Sequence, residues 1–431
     1  MPNILKHTLV AFLLAKLMIL SLYAGENEVF YDEVFDEDIK TVRIHQKGWE
    51  VSYPFYELHS GNKLLLSFDD LHEYSRDFEY KVIHCDQNWR KSNLFFSDYV
   101  DGFESNPVRE REMSVNTFIP YDHYTLEIPN EDVRFRESGN YVVMVYQASE
   151  PDNPLFIKRF MVVEHDVKVN AEVRQPVMSL YRSIGHDIKF SLETNSMEFN
   201  NVFEDLDVVI VQNHQWEGAK SGFDPDFINN DEIVFHRDDQ AVFKASNEYR
   251  RFSTRDLKYT DDEVAAINYD KPNYFITLAT DPDLRFKQYL DRDDFNGRYM
   301  ISNREGWEAL TDADYTWVKF RLPARSNLMP DEVHVYGELT QWRCDEHSQM
   351  TFNPKTRMYE TELFLKQGVY TYRYILKEKG GEINHMRFEG SHWETENDYM
   401  IIVYYHDRRL GADRIIGFDL VNSRQNTEGR E

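Results

Sequence analysis

The stretch Phe78-Glu79-Tyr80-Lys81-Val82-Ile83-His84 alternates between apolar and polar side chains with a period of two. Successive side chains of a β-strand point to opposite faces, so the pattern places Phe78, Tyr80 and Val82 on one face. A strand with one apolar face has to bury that face against another layer. The stretch therefore predicts a sheet that packs against a second sheet.

Similar segments lie on both sides of this stretch, and turn signals such as Pro129-Asn130 separate them. They are residues 63–68, 124–128, 141–146 and 156–163. About eight strands between residues 26 and 165, with a turn every ten to twenty residues, are typical of a β-sandwich. We therefore predict a first β-sandwich domain over residues 25–165.

The later part of the chain also consists of strand-like segments. A second set includes residues 166–173, 188–192, 207–211 and 274–279, and a third set includes 315–320, 333–337, 358–363, 369–375 and 399–405. Doubly wound and α/β-barrel folds require alternating helices, and the chain offers no long amphipathic segment for them. We predict an all-β fold of tandem Ig-like β-sandwiches, with a second, long-looped domain over 166–312 and a third over 313–431.

Residues 1–24 have the layout of a secretory signal peptide. Lys6 precedes a largely apolar run, and no acidic residue occurs before Glu26. The alternative is a transmembrane anchor, for which the run is slightly short and contains Lys16. Cleavage near residue 24 would remove two lysines and no acid, which takes the net charge from −27 to −29. No later apolar run is long enough to span a bilayer, so we expect no membrane span after cleavage.

The composition excludes one large class of function. The 431 residues include 76 acidic and 49 basic side chains, and phosphates would repel so acidic a protein, so nucleic-acid binding is not expected. Hydrophobic residues make up 41% and aromatic residues 15% of the chain, which is enough to build cores. Acidic residues are dense from Glu26 to Asp38, which is typical of a solvated leader. The alternative is a flexible arm that folds against a basic partner.

No arrangement of residues predicts catalysis or metal binding. Cys85 and Cys344 are 259 positions apart, so two buried free thiols are expected rather than a zinc site or a disulfide framework. His84 and Cys85 are neighbours on a strand and should point to opposite faces, which argues against a nucleophile with its base. The run Asp291–Gly297 fails the register of a calcium loop and instead predicts a hairpin turn at Asn296-Gly297. We assign no catalytic, cofactor-binding or metal-ligating residue and expect no cofactor.

The third domain resembles a sugar-binding fold. Tyr336-Gly337-Glu338-Leu339-Thr340-Gln341-Trp342, followed by Gly368-Val369-Tyr370-Thr371-Tyr372, is similar to the early-set β-sandwiches related to glycogen-binding modules. Sugars stack on exposed rings, so Trp342 and the neighbourhood of Trp393 are the candidate features. Leu339 and Thr340 replace the aromatic residue and Asn of those modules, and the second stacking Trp is missing. A secreted glycan-binding module that uses this early-set-like domain is the alternative function.

A longer series of phrases resembles one family, the type IX secretion system plug proteins. The phrases run in order from about residue 30 to about residue 418. They are Ile39-Lys40-Thr41-Val42, Leu66-Ser67-Phe68-Asp69-Asp70-Leu71, Tyr80-Lys81-Val82-Ile83-His84-Cys85-Asp86-Gln87-Asn88-Trp89, Asp98-Tyr99-Val100-Asp101-Gly102-Phe103, Ser114-Val115-Asn116-Thr117, Tyr121-Asp122-His123-Tyr124, Ser138-Gly139-Asn140-Tyr141, Arg159-Phe160, Gln212-Asn213, Asn247-Glu248-Tyr249-Arg250, Asp294-Phe295-Asn296-Gly297 and Glu389-Gly390-Ser391-His392-Trp393-Glu394-Thr395-Glu396-Asn397. One departure is Ala245-Ser246, where the family more often has glycines.

The resemblance implies a periplasmic, non-enzymatic protein associated with the outer-membrane complex of a Gram-negative bacterium. It implies that the chain binds the large outer-membrane β-barrel translocon of the type IX system. There it would close the periplasmic opening when no cargo is present. The resemblance brings no catalytic residues with it. A secreted hydrolase remains a third alternative, because folding could bring two of the 76 carboxylates into one cleft.

Overall fold

The computed structural model describes residues 29–424, apart from residues 196, 198, 230, 305, 307 and 325. The predicted signal peptide, residues 1–24, lies outside the described residues. The all-β class predicted from the sequence is confirmed, since strands form nearly all of the regular structure. Within the described range, no helix combines the length and the apolar character needed to cross a membrane.

Thirty strands and three four-residue helices follow one another along the described chain. The strands up to residue 163 are β1 Glu33–Val34, β2 Ile39–Gln46, β3 Phe55–Glu57, β4 Leu64–Asp70, β5 Phe78–Cys85, β6 Val100–Gly102, β7 Asn106–Pro107, β8 Glu110–Met113, β9 Asp122–Ile128, β10 Val133–Phe135, β11 Gly139–Gln147 and β12 Pro154–Val163. The next ten are β13 Lys168–Arg174, β14 Gly185–Glu193, β15 Leu206–Gln212, β16 Phe227–Ile228, β17 Glu232–Phe235, β18 Val242–Lys244, β19 Arg250–Ser253, β20 Val264–Asp270, β21 Asn273–Leu278 and β22 Tyr299–Ile301. The last eight are β23 Tyr315–Pro323, β24 Glu332–Tyr336, β25 Gln349–Asn353, β26 Met358–Lys366, β27 Gly368–Lys377, β28 Ile383–Asn384, β29 Asp398–Asp407 and β30 Ala412–Asn422. The helices are α1 Phe96–Tyr99, α2 Val202–Asp205 and α3 Ala309–Asp312, and short 3-10 turns occupy Trp216–Gly218 and Glu338–Thr340.

The first unit, residues 29–165, is a sandwich of two sheets. One sheet has the order β1-β12-β11-β5-β7, with β3 beside β12, and the other has the order β2-β4-β9-β8. Phe78, Tyr80 and Val82 point into the core between the sheets, as their alternation predicts. There Phe78 meets the ring of Tyr124 edge-on, with ring centroids 4.8 Å apart. The period-two pattern thus fixes which face of β5 is buried.

The second unit is completed by the end of the chain. Strands β13, β14, β17, β16 and β18 form one sheet, and β15, β29 and β30 form the facing sheet. Along β29, Tyr399, Ile401 and Val403 enter the core of this unit, whereas Met400 and Ile402 enter a shared core against the first unit. Because both faces of β29 are buried, its sequence is continuously apolar rather than alternating.

The third unit is a single curved sheet around its own core. Strands β19-β27-β24-β25-β26-β23-β21-β20 follow one another in this sheet, and β22 and β28 also pair with β27. The core contains residues from both ends of that order, including Phe252, Ile276 and Tyr372.

Strand pairing does not follow the predicted boundary between residues 312 and 313. Strands β19 to β22 precede residue 313, yet they belong to the sheet of the third unit. Strands β29 and β30 follow it, yet they pair with β15 of the second unit. The chain therefore passes from the second unit to the third and back. The amphipathic pattern of a strand specifies a buried face but not a pairing partner, so the sequence did not reveal this crossing.

A buried ion network joins the first unit to the third. Lys366 of β26 donates to the Asp69 carboxylate of β4 at 2.6 Å, and both side chains are fully buried. The hydroxyl of Tyr315 donates to the same carboxylate at 2.6 Å, and His123 Nδ1 lies 2.6 Å from its other oxygen. Burial alone would raise the pKa of Asp69, but Lys366 and His123 hold that pKa below its usual value. This network fixes how β4 and β26 meet.

We expect the substitution Lys366→Met to lower the free energy of unfolding by about 3–5 kcal/mol, because it leaves Asp69 buried without its cation. The measurement is urea unfolding of the full chain. The matched control is Lys168→Met, which removes an exposed ion pair with Glu193 and should cost less than about 1 kcal/mol. Equal losses for the two variants would contradict a special role for the buried pair.

Candidate functional site

Four of the phrases that distinguish this sequence, at residues 212–213, 247–250, 294–297 and 389–397, meet in one buried polar junction between the second and third units. Asn213, at the end of β15, donates from Nδ2 to the side-chain oxygen of Asn397 at 2.7 Å. The backbone N–H of Asp398 donates back to Asn213 at 2.8 Å, and Asn397 donates to the carbonyl of Ala245 at 3.0 Å. This exchange fixes β29 against β15 where the chain returns from the third unit.

A second part of the polar junction joins residues 246–250 to residues 389–391. Arg250 and Glu389 form a buried ion pair at 2.9 Å, and Asn247 donates to the carbonyl of Glu389 at 2.9 Å. The backbone N–H of Ser246 donates to Ser391 Oγ at 2.8 Å. Buried polar groups need partners of this kind, and here they find them in each other.

A tight turn at Asn296-Gly297 completes the polar junction. Both residues have positive φ angles, of 52° and 83°, as the dipeptide predicts. The predicted hairpin is wrong in one respect: residues 279–298 contain no strand, and only β22 follows the turn. Asn296 donates to Asp398 at 3.0 Å. Gly297 lies under the ring of Trp342, which leaves no room for a Cβ atom.

Beside the polar junction lies a cleft of about 630 Å³ with walls from all three units. Residues that line this three-unit cleft are Val29, Tyr31, Asp32, Gln87, Asn88, Trp89 and Arg159 of the first unit, Val209, His214, Gln215, Trp216, Glu217, Ala219, Lys220 and Ser221 of the second, and Tyr336, Gln341, Trp342, Arg343, Cys344, Lys377, Gly381 and Ile383 of the third. Its volume is in the range of ligand-binding pockets. The cleft is continuous with the polar junction, because Gln215 Nε2 donates to the hydroxyl of Tyr249 at 2.5 Å.

The charged floor of the three-unit cleft comes from the acidic segment that follows Val29. Asp32 accepts from Lys158 Nζ at 2.7 Å and from the backbone N–H of Arg159 at 2.7 Å. Burial alone would raise the pKa of Asp32, but Lys158 holds it below its usual value. Lys158 also donates to Gln341 of the third unit at 2.8 Å. The described part of the acidic run is therefore fixed in the fold, and the expectation of a solvated leader is wrong for it.

Aromatic rings surround the guanidinium of Arg159. The Arg159 Cζ atom lies 4.8 Å from the centroid of the Tyr31 ring and 4.6 Å from that of Trp89. Trp216 meets Trp89 edge-on at 4.8 Å. Burial lowers the pKa of Arg159 to about 10, so this cation stays charged at neutral pH.

The two tryptophans of the glycan hypothesis occupy different surroundings. Trp342 packs edge-on against Tyr336 at 5.5 Å and covers Gly297. Trp393 instead packs against His186 at 5.9 Å, in the second unit. Their ring contacts are separate, so the structure does not bring these two rings together as one sugar-stacking platform.

The prediction of two free thiols is confirmed, and the prediction that they are buried is confirmed for Cys85 only. Cys85 and Cys344 are both free; Cys85 is buried and Cys344 is half-buried. His84 packs against Tyr141 in the core of the first unit, whereas Cys85 faces the core shared with the second unit. Burial raises the pKa of Cys344 to about 12, so its thiol is protonated at neutral pH.

Asp294, in the run whose register does not fit a calcium loop, is bonded to the backbone. Both carboxylate oxygens of Asp294 accept backbone N–H groups, from Tyr249 at 2.5 Å and from Asn296 at 2.6 Å. Across the described residues, no group of three or more His, Cys, Asp or Glu side chains is arranged to hold a metal ion.

Sequence reasoning missed the three-unit cleft altogether. Arg159 and Trp89 were noticed as parts of two phrases, and Trp342 as part of another. Nothing in the linear order indicated that the three side chains would line one cavity. The one feature of the sequence that relates to the cleft is that several of the family phrases end in a large aromatic residue. Such residues are equally common in cores, so this feature does not predict a cleft.

Comparisons with known proteins identify one matching family model and one similar solved structure. A family model described as "Type 9 secretion system plug protein 1st domain" matches residues 39–164, nearly all of the first unit. The crystal structure of a hypothetical protein from Parabacteroides merdae is 30% identical in sequence, with a TM-score of 0.88 over 92% of this chain and 100% of that chain. No curated protein matches. The similarity to the solved structure extends over all three units, so both proteins share their arrangement.

We expect Gly297→Ala to lower the free energy of unfolding by at least about 2 kcal/mol. The new Cβ would lie 2.5 Å from Cε1 of Tyr249 and would collide with Trp342, and φ is positive there. Urea unfolding measures the loss. Gly61→Ala is the matched control, because a Cβ there meets nothing within 4 Å, and its effect should stay within about 0.5 kcal/mol. A tolerated Gly297→Ala substitution would show that the turn is not tightly packed.

A second expectation concerns pH and His214 of the cleft wall. Burial lowers the pKa of His214 to about 4, so the unfolded chain binds more protons than the folded chain between about pH 4 and 6.5. Stability is therefore lost as pH falls through this window, by up to about 1.4 kcal/mol per pH unit for one histidine. His214→Asn, which suits the positive φ of 62°, should make the pH dependence less steep by the share of one histidine, since burial also lowers the pKa of His84 and of His186 to about 4.

The measurement is the free energy of unfolding at several pH values from 4 to 7. His347→Asn, at an exposed turn, serves as the control and should leave the parent profile unchanged. A parent slope retained in His214→Asn would mean that other groups carry the effect.

Proposed function

Because the chain belongs to the family of type IX secretion system plug proteins, we propose that it is a non-enzymatic subunit that binds the outer-membrane β-barrel translocon of that system. In this proposal it closes the periplasmic opening of the barrel when no cargo is present. The observation that carries the proposal is the family match over the first unit.

The way the three units are joined supports this role. Apolar side chains such as Val142 and Met400 share a core between the first and second units. Asp69 and Lys366 join the first unit to the third, and the polar junction joins the second to the third. Three units that are joined in this way lose little conformational entropy when the protein binds a partner. Such rigidity favours a protein that blocks an opening.

The buried polar groups support a structural rather than a catalytic interpretation. Asp69, His123 and Lys366 resemble an acid–base cluster in composition, but the Asp69 carboxylate is bonded to His123, Lys366 and Tyr315 together. They lie in an interface between units and not among the residues that line the cleft. A catalytic group has to reach its substrate, and these groups are occupied in holding two sheets together.

The proposed location is the periplasm, in association with the outer-membrane complex. It follows from the family and from the signal peptide predicted at residues 1–24. A mature charge of −29 also suits a partner with a basic rim around its periplasmic opening.

The test is affinity purification of a tagged barrel from cells that express this chain at its native level. We expect the chain to be recovered with barrels that hold no cargo and to be absent from barrels whose channel is occupied by an export-arrested cargo. An unrelated outer-membrane barrel with the same tag controls for adventitious recovery. Failure to recover the chain with the empty translocon, or equal recovery with both forms, would contradict the proposal.

Ionic strength provides a further check on how the complex is held. If opposite charges steer the two proteins together, recovery from the empty barrel should fall as the salt concentration of the wash rises. Recovery that does not depend on salt would contradict the hypothesis of a basic rim, but it would not contradict the proposal that the two proteins form a complex.

A further inference from the structure

The three-unit cleft carries positive charge in a strongly negative protein. Four cationic side chains line it, Arg159, Lys220, Arg343 and Lys377, against two carboxylates. The chain as a whole has a net charge of −27. One of the two carboxylates, Asp32, is already engaged by Lys158. Arg343 is paired with Glu33 at 3.0 Å and Lys377 with Glu332 at 3.6 Å, so the positive charge of the cleft that can attract an anionic group comes chiefly from Arg159 and Lys220.

Two of these cations have no carboxylate partner among the described residues. Arg159 donates from Nε to the carbonyl of Phe30 at 2.6 Å, and Lys220 donates to the carbonyl of Val242 at 2.5 Å. Arg159 is only 6% exposed. A buried cation is normally paired with an anion. The Arg159 guanidinium contacts only a carbonyl and two rings, so it can still bind the anionic group of a ligand.

Amide donors line the cleft wall, and two buried indole donors lie behind it. The Nε1 atoms of Trp89 and Trp216 are buried and have no hydrogen-bond partner within the described part of the chain. Trp89 is 4% exposed. The amide side chains of Gln87, Asn88 and Gln341 lie on the same walls. The amide side chains therefore offer donors for carbonyl oxygens, whereas the two indole N–H groups are buried behind the cleft surface.

The available ring faces argue against a sugar. Arg159 covers one face of Trp89, and Trp216 meets Trp89 edge-on. Trp342 is packed against Tyr249, Tyr336 and Gly297. Sugar stacking requires an open face, and these rings already have neighbours. Peptides, in contrast, need backbone donors and acceptors along a cleft together with pockets for side chains.

We propose that the three-unit cleft binds an extended acidic peptide segment of a partner protein. Carboxylates of the segment face Arg159 and Lys220 inside the cleft and Lys377 and Arg343 at the wall of the third unit. Its backbone carbonyls accept from the amide donors of Gln87, Asn88 and Gln341. The inference deepens the proposed function, on which it rests only for the identity of the partner. Because the walls come from three units, occupancy of the cleft also favours the arrangement seen here.

Binding is tested on the isolated full chain with two synthetic peptides that have phenylalanine at every second position. Glutamate fills the other positions of one peptide and lysine those of the second. Isothermal titration calorimetry should detect the glutamate peptide only, and its Kd should weaken about tenfold or more between low and high salt. No heat with the glutamate peptide, or equal binding of both peptides, would overturn the proposal.

Charge-reversal variants locate the site. Lys220→Glu combined with Lys377→Glu should abolish binding of the glutamate peptide, whereas Lys287→Glu with Lys355→Glu, an equal charge change at exposed positions that do not line the cleft, should leave it within about twofold. Equal loss in both double variants would place the effect in the overall charge and reject the cleft. Urea unfolding confirms that each variant is folded before titration.

Two competition experiments test whether other anions bind in the cleft. If inorganic phosphate or a soluble acidic glycan displaces the peptide at equal concentration, the cleft is a general anion site and the peptide proposal fails. No translocon is present in these titrations, so the peptide result and the purification result can fail independently. A chain that binds the peptide but never the barrel would refute the plug function alone.

Discussion

The buried pair of Asp69 and Lys366 is the interaction on which the arrangement of the three units depends. Removing both charges from water costs several kcal/mol for each ion, and the pair recovers this only with its hydrogen bonds to Tyr315 and His123 in place. Alternative packings of the first unit on the third would leave the carboxylate or the ammonium buried alone. The main effect of the network is thus to specify how the first unit packs on the third. Its net contribution to the free energy of folding is the smaller effect.

The three-unit cleft is a consequence of that arrangement. Once the first and third units are fixed relative to each other, the return of β29 and β30 to the second unit places that unit as the third wall of the cleft. The polar junction at Asn213 and Asn397 marks this return. Side chains that are far apart in the sequence, such as Trp89, Trp216 and Trp342, then line one cavity. Ligand sites commonly form at such boundaries, where flat sheet faces cannot fill the space between units.

Several individual predictions followed directly from local chemistry. The alternation at Phe78, Tyr80 and Val82 identified a buried face, and Asn296-Gly297 identified a turn with positive φ angles. The strand expected before that turn is absent, because residues 279–298 contain no strand, and strand pairing crosses residue 312, where the sequence placed a domain boundary. A single sequence does not specify which distant strands pair.

The sequence by itself determined the all-β class, the family and the buried faces of the first unit, because these depend on side-chain period and on local phrases. The tertiary structure alone decided that β29 belongs with β15, that Asp32 is held by Lys158, and that Arg159 lies in a cleft without a carboxylate partner among the described residues. The reason is physical. Periodicity is a property of neighbouring residues, whereas ion pairs and cavities depend on which distant surfaces meet, and this is settled only when all buried charges are satisfied together.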